Sequence, residues 1–502
     1  MYFLNRQLVP ATTSAIAGFA AQPSFNHRFA FSTQSPEVDP EVTPEVSSGG
    51  GATEVTPGST SESTPEVNPD LTPGLTPAAD PLPLNSAQDE VARDNTGGTS
   101  EYHITFSPVE VTFKRKEGSE VMPQRLNIAV PHVWLRENCR CSECVNQATM
   151  QRNFSVFDLP EGIAPKTITL EPAGMRISWN HENHESLYDW DFLKRNIGRR
   201  RQRYPNSNQV HVHWTSKFLG GPPTVQYEEV MDSTSTKGLA KLTDALVRRG
   251  VVFVENTPFD DAIHTKHLLE RIGPIRETHY GGFYDFVPDM AKADTAYTNI
   301  ALPAHTDTTY FTDPAGLQAF HMLSHTAPEG SQAEGGMSLL VDGERAAKLL
   351  FQEDRAAFKA LCSRGVPYHA SGNDGVTITP TAMRPVIEAL NFNSDNPDII
   401  RIRWNNDDRG TMRIGQSSRH LLEWYQAARK FDEILKRPKS QYWFQLKPGS
   451  VLIFDNYRVL HGRSAFTGQR RICGAYINHD DFVSRWRNTN FPRDKVLAQV
   501  IG

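Results

Sequence analysis

The chain has 502 residues, a hydrophobic content of 38% and a formal net charge of −6. This length predicts two or three domains. The charge argues against a nucleic-acid-binding protein, since the densest basic cluster is the short GRRRQR at 198–203, and no apolar run approaches the length of a membrane span.

The first 35 residues have the composition of a mitochondrial transit segment. They are rich in Ser, Thr and Ala, contain two Arg, and the first acidic residue is Glu37. The continuous apolar core of a secretory signal is missing. We therefore predict import into the mitochondrial matrix, with a cytoplasmic protein as the alternative.

Residues 36–100 read as a disordered linker rich in Pro, Ser, Thr and Glu. They carry 12 acidic side chains and one basic one, and no aromatic residue. Such a segment cannot bury enough apolar surface to offset the entropy lost on ordering. Because the linker holds the acidic excess, the rest of the chain is close to neutral.

Three of the five cysteines lie within six residues, in NCRCSECV: Cys139, Cys141 and Cys144. A disulfide cluster is disfavoured in the reducing environment of the mitochondrial matrix or the cytosol. Three thiolates at this spacing suit a structural zinc ion, which needs a fourth ligand. The downstream sequence WNHENHESLYDW offers His181 or His184.

The second half of the chain has the pattern of a globular β-rich domain. TKGLAKLTDALVRRG has helical periodicity, and several short apolar segments with few helices between them predict a β-sandwich or barrel. No glycine-rich nucleotide-binding motif is present. The predicted strands are VVFVENTP, AGLQAFHML, MSLLVD, IIRIRW, SVLIFD and RRICGAYIN.

AHTDTTYF contains a histidine and an aspartate two residues apart, His305 and Asp307, in a run that reads as a strand. On a strand such residues share a face and could bind one ion together. With a second histidine they would form the facial triad of non-haem Fe(II) oxygenases. The spacing alone is weak evidence, because His479 and Asp481 repeat it. His461, which follows a predicted strand and turn, is the candidate third ligand.

The strand RRICGAYIN places Arg470, Ile472, Gly474 and Tyr476 on one face. An arginine and a tyrosine flanking a glycine look like the wall of a pocket, and arginine can bind a carboxylate through two hydrogen bonds. The alternative is a surface arginine paired with an acid.

Several linked motifs resemble the Fe(II)- and 2-oxoglutarate-dependent dioxygenases of carnitine biosynthesis: HTDTTYF, GGMSLLVDG, WNNDDR and DNYRVLHGRSAFTGQRRICGAY, with VWLRENCRCSECV resembling their N-terminal zinc-binding domain. The resemblance covers roughly residues 101–495. It implies a mainly β (α+β) fold, in which a small zinc-binding β domain precedes a double-stranded β-helix (jelly-roll) catalytic domain. The implied reaction uses Fe(II), 2-oxoglutarate and O2, with ascorbate as reductant. The resemblance also suggests a homodimer. The domain boundaries that follow are 1–35 for the transit segment, 36–100 for the linker, 101–222 for the zinc-binding domain and 223–502 for the dioxygenase domain.

The resemblance also implies residue roles. His305, Asp307 and His461 match the iron ligands, and Arg470 with Ser338 matches the binding site of the distal 2-oxoglutarate carboxylate. The implied zinc ligands are Cys139, Cys141, Cys144 and His184.

Members of this family hydroxylate either N6,N6,N6-trimethyllysine at C3 or γ-butyrobetaine. Aromatic rings would hold the trimethylammonium group that both substrates carry, and Tyr284 stands where the family usually has Trp.

The other end of the substrate distinguishes the two reactions. Asp294 would pair with the α-ammonium of trimethyllysine, which favours this substrate, and Asn405 would contact its carboxylate. A methyl-lysine-binding protein without catalysis is the alternative from another class, although it would need no iron ligands. The implied aromatic cage is Tyr280, Tyr284, Tyr297 and Tyr476.

Overall fold

The computed structural model describes residues 90–97, 102–116, 127–197, 211–287, 298–327, 331–414 and 417–501. All of them fall within one compact unit of the chain. The predicted transit segment and the linker up to residue 89 lie outside the described residues. Within the described ranges, no helix is long and apolar enough to cross a membrane.

Two four-stranded sheets form the N-terminal part of the described chain and share one apolar core. Their strands and the two accompanying helices are β1 (Glu90–Val91), β2 (Arg93–Asp94), β3 (Tyr102–Phe106), β4 (Glu110–Arg115), β5 (Asn127–Pro131), β6 (Pro165–Glu171), β7 (Gly174–Trp179), β8 (Glu185–Asp189), α1 (His132–Glu137) and α2 (Trp190–Asn196). The strand orders are β1-β3-β4-β5 and β2-β6-β7-β8. Exposed and buried residues alternate along β8, because one face of its sheet packs on the core.

The strands β1 and β2 lie inside the segment that its composition predicts to be disordered. Glu90 pairs with Phe106 of β3, and Arg93 pairs with Thr169 of β6. Between them, Ala92 is buried, and its backbone N–H donates to Ile104. The folded part therefore begins before the boundary predicted at residue 100. The composition averaged over the 65 residues 36–100 hides the few apolar residues at the end of this segment.

The C-terminal part contains a seven-stranded sheet, a four-stranded sheet and a hairpin. Their strands are β9 (Thr224–Gln226), β10 (Val251–Glu255), β11 (Tyr284–Phe286), β12 (Leu302–His305), β13 (Leu317–Thr326), β14 (Ser338–Asp342), β15 (Ile387–Leu390), β16 (Asp398–Ile402), β17 (Gln441–Phe444), β18 (Ser450–Asp455), β19 (Val459–Arg463), β20 (Gln469–Gly474) and β21 (Tyr476–Ile477). The larger sheet has the order β11-β20-β13-β18-β10-β9, with β21 paired to β13. The smaller sheet has the order β12-β19-β14-β17. All the strands predicted from the apolar segments of this half are confirmed.

The prediction of few helices is wrong, and the described fold is mixed α+β. The helices of this part are α3 (Tyr227–Met231), α4 (Lys237–Arg249), α5 (Ile263–Ile272), α6 (Gly343–Glu353), α7 (Arg355–Ser363), α8 (Ser418–Lys436), α9 (His479–Asn490) and α10 (Arg493–Val500). The predicted helix is confirmed as α4, which ends at Gly250 with a left-handed φ of 72°. The sequence analysis did not predict α8, although this helix buries an apolar stripe with helical spacing that includes Trp424 and Phe431.

A buried ion cluster fixes the start of β19. The guanidinium of Arg458 donates to both carboxylate oxygens of Asp342, at 2.9 and 3.1 Å, and to the backbone carbonyls of Val212 and Arg248, both at 3.0 Å. Asp342 in turn accepts the backbone N–H of Arg345 and caps α6. The strand that follows Arg458 carries His461.

Candidate active site

A pocket lies between the two C-terminal sheets. The smaller sheet contributes side chains from β12, β14 and β19, and the larger sheet contributes side chains from β11, β13, β18, β20 and β21. Most of the residues that the sequence analysis proposes meet here. They are Tyr280, Tyr284, His305, Asp307, Ser338, Asn405, His461, Arg470 and Tyr476.

The histidine and aspartate of AHTDTTYF come together, but not on one strand as predicted. β12 ends at His305, and the chain then turns, with Thr308 at a φ of 56°. His305 Nε2 lies 3.2 Å from Asp307 Oδ1, and His461 Nε2 lies 3.7 Å from the same oxygen. His461 follows the strand β18 and a turn at 456–458, as predicted, and lies within β19 directly opposite His305. One donor atom from each of the three residues lies within 4.8 Å of the others.

The donor atoms of the three side chains suit a divalent metal. Asp307 raises the pKa of His305 against the effect of burial, and metal binding would displace the proton that this favours. His305 Nδ1 lies 2.8 Å from the carbonyl of Pro303, so an N–H at Nδ1 leaves the Nε2 lone pair facing Asp307. Burial, reinforced by the neighbouring His305, lowers the pKa of His461 to about 3, so this imidazole is neutral. Burial alone would raise the pKa of Asp307, but the two neighbouring imidazoles, His461 first and then His305, hold it below its usual range. A carboxylate and two imidazoles with open positions are the ligands of non-haem iron oxygenases, so the residues fit Fe(II).

Arg470 is buried in the same pocket without an ion pair to any of the described residues. Only 5% of it is exposed, its Nε has no hydrogen-bond partner within the described part of the chain, and burial lowers its pKa. The guanidinium lies 5.0 Å from the ring of Phe466 and against Gly336, where a Cβ would come within 2.9 Å of Nη1. A buried cation needs an anionic partner. An acidic ligand such as 2-oxoglutarate would supply one, and Ser338, at the start of β14, lines the same pocket.

The predicted aromatic cage is described in part. Tyr280, Tyr284 and Tyr476 line the pocket, and the rings of Tyr284 and Tyr476 meet edge to face with centroids 6.1 Å apart. The Tyr476 hydroxyl donates to Asp307 at 2.8 Å, so this residue contacts the metal ligands as well as the pocket. Tyr297 and Asp294 lie outside the described residues.

The sequence did not predict several polar residues of the pocket and its surroundings, among them Tyr310, Gln318, Asp408 and Asn456. Asp408 accepts hydrogen bonds from Thr309 Oγ1 at 2.7 Å and from Asn405 Nδ2 at 3.0 Å, which fixes the predicted Asn405 side chain. The glutamine in the apolar AGLQAFHML was a signal that could have been used, since a polar side chain inside a buried strand needs a partner.

The three clustered cysteines meet His184 and not His181. His184 Nε2 lies 3.3 Å from Cys139 Sγ, 3.8 Å from Cys141 Sγ and 3.4 Å from Cys144 Sγ. His184 Nδ1 lies 3.3 Å from a carboxylate oxygen of Glu143. Three sulfurs and one imidazole nitrogen match the donor set of a structural zinc site.

His479 and Asp481, which repeat the spacing of His305 and Asp307, lie in the first turn of α9. His479 stacks on Tyr457 with centroids 4.4 Å apart. Among the described residues, two groups of side chains could hold a metal ion, and neither includes this pair.

Comparison with known proteins agrees with this site. Residues 213–476 match the family described as "Taurine catabolism dioxygenase TauD, TfdA family", and residues 108–194 match "Gamma-butyrobetaine hydroxylase-like, N-terminal". The mixed α+β fold with its His-Asp-His cluster and buried arginine is therefore that of an iron- and 2-oxoglutarate-dependent oxygenase. A trimethyllysine dioxygenase of Neurospora crassa is 50% identical over 437 residues, which cover 80% of this chain and 90% of the relative. The chain belongs to the trimethyllysine dioxygenases.

More distant relatives have the same name. The mitochondrial trimethyllysine dioxygenase of Homo sapiens is 36% identical over 358 residues, covering 71% of this chain and 82% of the relative. Among solved structures, a taurine dioxygenase from Burkholderia xenovorans matches at 15% identity and a TM-score of 0.38, over 52% of this chain and 89% of that one.

Proposed function

We propose that this protein hydroxylates N6,N6,N6-trimethyllysine at C3 in the first step of carnitine biosynthesis. The reaction consumes 2-oxoglutarate and O2 and yields 3-hydroxy-trimethyllysine, succinate and CO2. The observation that carries the proposal is the buried Arg470 guanidinium, which has no ion pair among the described residues and lies in one pocket with His305, Asp307 and His461. A protein that only binds methyl-lysine would need neither feature.

His305, Asp307 and His461 would hold Fe(II). The iron, when bound with 2-oxoglutarate, supplies the oxidising power for attack on an unactivated C–H bond. Arg470 would bind the distal carboxylate of 2-oxoglutarate through two hydrogen bonds, and Ser338 would add a hydroxyl donor. Ascorbate would keep the iron reduced.

The aromatic side of the pocket would hold the trimethylammonium group. Ring faces attract a quaternary ammonium ion, most strongly where water is excluded. Tyr280 and Tyr284 are the described candidates, and Tyr297 and Asp294 remain predictions from the sequence. Tyr476 is engaged with Asp307, so we assign it to the pocket wall between substrate and metal. Asn405 would contact the carboxylate end of the substrate.

Several finer features belong to the same proposal. The two C-terminal sheets that enclose the pocket are consistent with a double-stranded β-helix, and Cys139, Cys141, Cys144 and His184 would bind a structural zinc ion. The proposed domains are a zinc-binding one over 101–222 and a dioxygenase one over 223–502. The matched families, over 108–194 and 213–476, support two domains, with the second match starting ten residues before the proposed boundary. Location in the mitochondrial matrix is proposed from the N-terminal composition and from mitochondrial relatives. A homodimer follows from the family resemblance alone.

The proposal is tested by giving the full chain Fe(II), ascorbate and 2-oxoglutarate with either trimethyllysine or γ-butyrobetaine. Succinate release and product mass are followed for each. We expect a gain of one oxygen on trimethyllysine alone, and Asp294→Asn should reduce this activity while leaving any activity on γ-butyrobetaine unchanged. Oxygenation of γ-butyrobetaine in preference to trimethyllysine would overturn the assigned substrate.

A further inference from the structure

Asp307 lies beyond the end of β12, so no strand ladder holds its backbone. The side chain of Asn456 takes that role. Asp307 N–H donates to Asn456 Oδ1 at 2.8 Å, and Asn456 Nδ2 donates to the carbonyls of Asp307 and Ala315, both at 3.0 Å. Asn456 is only 1% exposed. The peptide unit of the metal ligand is therefore fixed from the turn between β18 and β19.

The two carboxylate oxygens of Asp307 have different partners. Oδ1 faces the two histidines, His305 and His461. Oδ2 points away from them and accepts two hydrogen bonds, from Gln318 Nε2 at 2.6 Å and from the Tyr476 hydroxyl at 2.8 Å. One oxygen is thus left for a metal, while the other is occupied by the protein.

Besides Asp307, the Gln318 side chain has one longer hydrogen bond among the described residues, from Nε2 to the Tyr476 hydroxyl at 3.5 Å. It is 2% exposed within β13, between the apolar residues Leu317 and Ala319. Its Oε1 has no hydrogen-bond partner among the described residues. A buried amide with an unsatisfied oxygen destabilises a protein, so the contact to Asp307 is the interaction that explains this residue.

We propose that Gln318 is a positioning residue that, together with Tyr476, makes Asp307 present a single oxygen to the metal and keeps the remaining metal positions open. The inference rests on the proposed iron site. Without the amide, the carboxylate could rotate and bind through both oxygens, which would occupy a position that 2-oxoglutarate or O2 needs. Removal of such outer contacts typically costs 10- to 100-fold in metal affinity or activity.

The test uses Gln318→Met, which keeps the length of the side chain and removes its hydrogen bonds. Mn(II) stands in for Fe(II) in the full chain, since this ion favours oxygen and nitrogen ligands over the thiolates of the cysteine cluster. Electron paramagnetic resonance of free Mn(II) gives the affinity. Water proton relaxation by the bound ion reports how many of its positions are open to water. We expect Gln318→Met to weaken Mn(II) binding by about 10- to 100-fold and to lower the relaxation enhancement per bound ion.

Leu323→Ala is the matched control for a loss of stability. Leu323 lies on the same strand but packs with Ala262 and Cys473, away from the pocket. The control should unfold more easily and yet bind Mn(II) like the unmodified protein. If it weakens Mn(II) binding as much as Gln318→Met does, the effect is one of stability and the inference is overturned.

Tyr476→Phe provides a second variant if Gln318→Met does not fold. It keeps the ring and removes the other donor to Oδ2, so it should change affinity and relaxation in the same direction. The positioning role is overturned if the folded Gln318→Met variant has the Mn(II) affinity and the relaxation enhancement of the unmodified protein. If only Tyr476→Phe folds, the same result in that variant overturns it. In either case the iron site stands. Failure of the unmodified protein to bind Mn(II) would instead overturn the iron site itself, and the inference with it.

Discussion

Arg470 and Arg471 are neighbours on β20 with opposite surroundings. Arg470 is buried in the pocket, whereas Arg471 is partly exposed and its Nε donates to Asp285 at 2.9 Å. Because hydrogen bonds to charged groups contribute roughly 1.5–3 kcal/mol, Arg470→Met should raise the KM for 2-oxoglutarate by about 10- to 100-fold. Steady-state kinetics with varied 2-oxoglutarate measure this.

Arg471→Met is the control for that substitution, because exposed ion pairs contribute about 0–1 kcal/mol. It should leave the KM for 2-oxoglutarate unchanged. Equal effects of the two substitutions would contradict the assignment of Arg470 to the cosubstrate.

The different surroundings of these two arginines could be predicted from sequence, whereas the partners of Asp307 could not. Side chains alternate between the two faces of a strand, so the sequence RRICGAYIN places Arg470 and Arg471 on opposite faces. The structure has them on opposite faces. Gln318 and Asn456 reach Asp307 across 11 and 149 residues of sequence. No local period encodes such contacts, because they arise only when β13 and the turn after β18 pack beside the end of β12.

At the scale of elements, a buried histidine joins β13 to its surroundings. His321 Nδ1 lies 2.7 Å from Thr265 Oγ1 on α5, and the backbone N–H of Gly449 donates to His321 Nε2 at 3.0 Å. The acceptor role of Nε2 requires a neutral ring with its proton on Nδ1. Burial lowers the pKa of His321 to about 4.

The lowered pKa predicts a loss of stability in acid. Above pH 6.5 His321 is neutral in both states and its contribution is fully present. As pH falls from 6.5 towards 4, the unfolded chain takes up the proton first, so the free energy of unfolding decreases, by up to about 3 kcal/mol from this residue. Urea unfolding between pH 6.5 and pH 4 should show that the free energy of unfolding decreases more steeply with falling pH in the unmodified protein than in His321→Gln. Parallel curves would contradict the proposed neutral state.

Element boundaries show where the sequence patterns stop being informative. The apolar runs predict β10, β13, β14 and β18 because central strands are buried on both faces. AHTDTTYF looks like a continuing strand, yet the turn at Thr308 ends it after His305. The turn is fixed by tertiary contacts, including the hydrogen bond of Thr306 N–H to the carbonyl of Trp404, and these are invisible in a local pattern.

At the scale of the whole molecule, the cysteine cluster should stabilise the N-terminal sheets. Cys144→Ser removes one of the four proposed ligands. We expect loss of zinc and faster proteolysis within residues 127–197, because the metal would link the loop after α1 to the turn before β8. Elemental analysis and timed proteolysis measure both.

Cys362→Ala is the control for the cysteine substitution, since Cys362 is buried in a different core on α7. It should keep its zinc. Zinc retained by Cys144→Ser, or absent from the unmodified protein, would contradict the proposed zinc site.

The most direct test of the central claim is the reaction of trimethyllysine and 2-oxoglutarate under isotopically labelled O2, with mass spectrometry of both products. Our account predicts one labelled oxygen atom in 3-hydroxy-trimethyllysine and one in succinate, with both labels lost in His305→Ala. Product without label, or label in succinate with trimethyllysine untouched, would contradict it.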